Sequence, residues 1–81
     1  MSLFKYLNER VNILRNEKLI GFAIPVYWSD GFYTTFNIQH NDVVQSLENG
    51  KRFRVLQTID YGYPWRKVIR CYLTLDNQFN V

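Results

Sequence analysis

Cysteine is almost missing from this chain. Cys71 is the only one in 81 residues, so no disulfide can close within it and a secreted, disulfide-stapled scaffold is excluded. Histidine is equally scarce, with His40 alone. Structural zinc takes about four nitrogen or sulfur ligands and catalytic zinc about three, so no metal or other cofactor is expected. A Ser or Cys nucleophile needs a base within hydrogen-bond reach, and nothing in the spacing brings His40 to Ser46; His40 reads as a solvated loop residue. The four glycines are isolated, which leaves no phosphate-cradling loop. The carboxylates Glu9, Glu17, Asp30, Asp42, Glu48, Asp60 and Asp76 are scattered along the chain, with no close pair suited to acid–base or two-metal chemistry. The expectation is a protein without enzymatic activity.

Long apolar runs are absent too. No stretch approaches the roughly 18 uninterrupted apolar residues of a membrane span. The start of the chain, "MSLFKYLNERVNILRN", has neither an apolar signal-peptide core nor a small-residue cleavage site. An intracellular, cytoplasmic location away from the membrane is therefore expected.

What is present favours folding. Hydrophobic residues make up 47% and aromatics 17%, against 21% charged, whereas disordered chains are poor in aromatic and β-branched residues. One domain over residues 1–81 is expected. A chain this short buries only about 60% of the surface its unfolded form exposes. Self-association is one way to supplement so small a core, and a homo-oligomer is expected as readily as a monomer. The net charge of +3 and pI near 9.2 permit an anionic partner without requiring one.

The expected architecture is α+β, in the order α-β-β-α-β-β: an N-terminal helix and a short second helix packed on one face of a four-stranded, mainly antiparallel sheet. Ser2 suits an N-cap, and Leu3, Phe4, Leu7, Val11 and Leu14 follow at helical spacing, fading near Asn16. From Ile20 the apolar period becomes two: Ile20, Phe22, Ile24, Val26 and Trp28, then Phe32, Thr34, Phe36 and Ile38. Ser29-Asp30-Gly31 between them suits a hairpin loop with Gly31 left-handed. Trp28 then lies opposite Phe32, and Tyr27 faces Tyr33 on the outer side. Pro25 marks that strand as an edge or a bulged one. "HNDVVQSLENGK" reads as a helix, capped by Asn41, stopped by Gly50, with Val43, Val44 and Leu47 inward. Two further strands flank a loop at 61–65, in a register that pairs Asp60 with Arg66, Val55 with Cys71 and Phe53 with Leu73. Phe53, Val55, Ile59, Ile69, Cys71, Leu73 and Leu75 then share the inner face.

The other face of that second hairpin stands out. Arg52, Arg54, Arg66, Arg70 and Tyr72 point outward, with Arg54 across from Tyr72. The loop "DYGYPWRK" adds Tyr61, Tyr63 and Trp65. Gly62 and Pro64 have local reasons to be in a turn, but a short loop cannot bury all three rings, so at least one is expected at the end of the arginine face. A solvated, half-polar sheet face accounts for the same residues without any ligand. Two functional readings compete with it. Arg and Tyr are enriched in protein–protein hot spots, and they also supply the charge and stacking that single-stranded DNA or RNA requires. The modest net charge and the scarcity of lysine on this face lean towards a protein partner. The size and the Tyr/Phe/Asn richness are similar to those of small accessory proteins of viruses and phages, a likeness of composition resting on no motif; for such a protein the cytoplasm would be the host's.

Overall fold

Val11 and Ile13 are both fully buried, two residues apart, and this spacing alone replaces the expected helix with a strand. A computed structural model describes residues 8–29, 31–62 and 67–76. Among these there is no helix, and so none long and apolar enough to cross a membrane. The strands are β1 (Glu9–Arg15), β2 (Lys18–Trp28), β3 (Phe32–Thr34), β4 (Val43–Ser46), β5 (Arg52–Asp60) and β6 (Ile69–Leu75). They close into an antiparallel barrel in the order β1-β2-β3-β6-β5-β4. The α+β expectation is thus overturned: the fold is all-β.

Both expected helices give way for physical reasons. The N-terminal one falls partly outside the described residues; its remainder is β1, whose β-branched Val11 and Ile13 fit a pleated strand. Where the helix was to fade, Asn16 and Glu17 take φ of 52° and 65°. They connect the paired residues Arg15 and Lys18, and two consecutive left-handed residues make the tight turn that matches strand twist. The second helix is β4 and its turn. Val44 and Ser46 are buried while Leu47 is exposed, again period two. Asn41 and Gly50, the presumed cap and stop, are left-handed at φ 72° and 73°; they punctuate a short strand instead.

The hairpin of β2 and β3 keeps the expected register at Tyr27–Tyr33 and Trp28–Phe32. Asp30, in the expected loop between them, lies outside the described residues. Beyond Trp28 and Tyr27, the alternation along β2 breaks. Val26 is fully buried, but Phe22 is 71% exposed. Between them Ala23 has φ 52°, and the register jumps from Val11–Ile24 to Ile13–Gly21. The extra residue is a β-bulge, which turns the side chains before it to the opposite face. Two side chains of β1 secure it: Asn12 Oδ1 accepts the Ala23 N–H at 3.0 Å, and Arg10 Nη1 donates to the Ala23 carbonyl at 3.2 Å. Gly21 now points inward, where a Cβ would lie 2.9 Å from Ile24 Cγ1 and 3.1 Å from the Phe36 ring. Pro25 belongs to this bulged strand, as its missing N–H suggested.

In the last hairpin the register differs from expectation. Val55 pairs with Leu73 and Phe53 with Leu75; after a bulge at Leu56, Asp60 pairs with Ile69. The loop is correspondingly longer than residues 61–65, closed by the Tyr61 N–H donating to the Val68 carbonyl at 2.8 Å. Leu75, expected inside, is 46% exposed. The two expected hairpins do form one sheet, with β6 between β3 and β5.

The core draws Val11, Ile13, Val26, Phe32, Val44, Val55, Ile69 and Cys71 from all six strands, with Ile38 from the loop before β4. Each such aliphatic or aromatic side chain contributes about 1.5–3 kcal/mol on burial. Trp28 closes one end, edge-on to Phe32 at 5.1 Å and to Phe53 at 5.0 Å. At another corner Asp42 is a buried carboxylate, 1% exposed. Arg15 grips it with two hydrogen bonds of 2.9 Å, and the Gln39 N–H adds a third at 2.8 Å. A buried charge is tolerable only with such partners.

Candidate interaction surface

Side chains alternate across a sheet, so Tyr27, Tyr33 and Arg70, aligned by the Tyr27–Tyr33 and Tyr33–Arg70 pairs, share the outer face of the barrel. Ile59, opposite Arg70 on β5, continues the row. At strand spacings of about 4.8 Å the row is about 14 Å long. Tyr72 stands two residues further along β6 on the same side. Tyr27 and Tyr33 pack ring to ring at 5.8 Å. The Arg70 guanidinium lies over two rings, 5.6 Å from the Tyr33 centroid and 5.1 Å from that of Tyr72, in the range of cation–π attraction. Tyr61 is 45% exposed. Hydrogen bonding towards Tyr61 first, then the Tyr33 and Tyr72 phenols, raise the Arg70 guanidinium above its ordinary value, so it stays charged.

Arg70, Tyr72 and Tyr61 are therefore brought together as the sequence suggested. Arg54 is drawn elsewhere. Its register partner is Thr74 rather than Tyr72, and its guanidinium bonds to Asp76 Oδ2 at 3.3 Å and to the Asn41 carbonyl at 3.2 Å. Asp76 is 8% exposed, so this arginine serves the fold. Arg52 lies opposite Gln45, its carbonyl accepting the Asp76 N–H at 2.9 Å. Arg66, Tyr63 and Trp65 lie outside the described residues. Tyr27 and Tyr33 were legible as a facing outer pair, yet only the β3–β6 pairing, across a long separation in sequence, joins them to Arg70.

A second feature had no sequence signal at all. Glu9 on β1 and Glu48 in the β4–β5 turn meet at the rim of an open cavity of about 420 Å³. Burial first, then the charge and hydrogen bonding of Glu48, raise the Glu9 carboxyl above its usual value. Among the described residues no group of three or more His, Cys, Asp or Glu is placed to hold a metal. His40 is exposed, and the Ser46 hydroxyl accepts the Glu48 N–H at 3.2 Å. The Cys71 thiol is pushed up to about 12, by burial and then by the charge of Asp42; a thiol so protonated is a poor nucleophile.

No protein-family model, curated protein or solved structure matches the chain.

Proposed function

We propose that this protein is a non-enzymatic interaction module that binds another protein through the tyrosine–arginine wall of its barrel. The observation that carries this reading is the clustering of Tyr27, Tyr33, Tyr72 and Tyr61 with Arg70 on one outer face. Rigid rings around an arginine are the composition of binding hot spots, and tyrosine offers contact area at low entropy cost. The setting consistent with it is the cytoplasm, the host's if the chain is viral. The alternative, single-stranded DNA or RNA, would use the same rings for stacking. It is less favoured because phosphates need charge along a track, and Arg54 is committed to Asp76.

The test has two arms. Fluorescence anisotropy of labelled single- and double-stranded DNA and RNA, at two salt concentrations, is expected to show no binding tighter than about micromolar; steep salt-dependent binding would replace the protein reading with the nucleic-acid one. In parallel, proximity labelling with wild type and with Tyr33→Ser/Tyr72→Ser is expected to enrich a partner lost from the double variant. An identical partner profile for both would overturn the reading.

A further inference from the structure

We infer that the group Arg70 takes from its partner is a carboxylate: a single Asp or Glu flanked by apolar or aromatic residues in a protein segment. The inference rests on the proposed interaction surface and adds the chemistry of its ligand.

Three basic residues of the barrel have carboxylate partners. Arg15 is answered by Asp42 at 2.9 Å, Arg54 by Asp76 at 3.3 Å and Lys67 by Asp60 at 3.8 Å. Arg70 is equally charged, but among the described residues no carboxylate lies within ion-pair distance of it. Its neighbours are phenols. The guanidinium carbon lies over the Tyr33 and Tyr72 rings, and Tyr61 favours the group's charged form. Among the described residues no carboxylate takes its planar N–H fork, and that fork matches a carboxylate bidentately. Because rings already hold the side chain, less rotamer freedom is lost when an anion arrives.

The surroundings choose between anions. A nucleic-acid strand brings a phosphate at every nucleotide and calls for successive cations. Along the row from Tyr27 through Tyr33 and Arg70 to Ile59 there is one charge, flanked by rings and an aliphatic side chain. One carboxylate between apolar residues is the complementary pattern.

The experiment uses the full chain, ¹⁵N-labelled, titrated with acetyl-Gly-Leu-Tyr-Glu-Leu-Tyr-Gly-amide, with its Glu→Gln counterpart, and with oligothymidylate. The Glu peptide is expected to shift the Arg70 Nε–H and the amides of Tyr33 and Tyr72, and to bind about fivefold more tightly than the Gln peptide. Arg70→Met should erase that preference and Arg70→Lys should keep part of it. Equal binding of both peptides at these residues, or binding of neither, overturns the carboxylate inference and leaves the surface reading standing. Shifts at the same residues with oligothymidylate alone overturn both.

Discussion

Two arginine sites on this barrel are built in opposite ways. At the Asp42 corner, Arg15 meets a buried carboxylate with two matched hydrogen bonds, and the carboxylate also holds the backbone of the loop before β4. On the tyrosine wall, Arg70 lies over rings, and among the described residues no carboxylate lies within ion-pair distance of it. In the first arrangement the buried carboxylate is answered from within the chain. The second is held in place but still has donors to give. The comparison teaches that counting arginines on a face says little about binding; what matters is whether the fold has already supplied their anions.

The comparison can be broken most severely at the buried end. Asp42→Ala removes a buried acceptor of three hydrogen bonds and is expected to cost about 3 kcal/mol. For a domain of this size that lowers the thermal midpoint by about 12–24 °C, measurable by circular dichroism; a loss below about 4 °C would show that the corner does not hold the barrel. Arg70→Met should instead leave the midpoint within about 4 °C, because nothing buried depends on it. A large drop there would make the wall structural rather than receptive.

A subtler contrast lies at Glu9, where like charges meet instead of opposite ones. Its folded-state carboxyl titrates above the unfolded value, so ionising it opposes folding, and stability falls as pH rises from the unfolded value through the folded one. Glu9→Gln is expected to raise the urea midpoint at pH 7 and to leave it nearly unchanged at pH 4. An equal gain at both values would contradict the assigned cause. The smallest effect is chemical: Cys71, inside the wall beside Arg70, should react with a thiol-specific disulfide reagent only on unfolding. Rapid reaction of the native protein would mean the wall opens.

How much of this was legible in the sequence varies by region. Where alternation holds on both strands of a hairpin, the sequence reading placed the Tyr27–Tyr33 and Trp28–Phe32 pairs correctly. The helices failed because local spacing was outweighed by tertiary pairing. Val11 and Leu14 satisfy a helical period, but β1 is zipped between β2 and β4 and buries Val11 with Ile13. Val43-Val44 is a β-branched pair, and that should have weighed against a helix between Asn41 and Gly50. Bulges at Ala23 and Leu56 add single residues that alternation cannot foresee. The pairs Arg15–Asp42 and Arg54–Asp76 join residues far apart in sequence, and only barrel closure reveals which arginine is spent and which is not.

That closure also has a kinetic side. The turn at Asn16-Glu17 lets β1 and β2 meet at almost no loop cost, within about microseconds for a hairpin. Joining β1 to β4 and β3 to β6 instead draws together distant parts of the chain, and such contacts are bought with loop entropy before they reward it. The tyrosine wall spans the β3–β6 seam, so Arg70 meets the Tyr33 ring only once those two strands pair. Until then Tyr27 and Tyr33 lie on one hairpin and Arg70 and Tyr72 on another, and the wall as a whole is among the last parts of the molecule to exist.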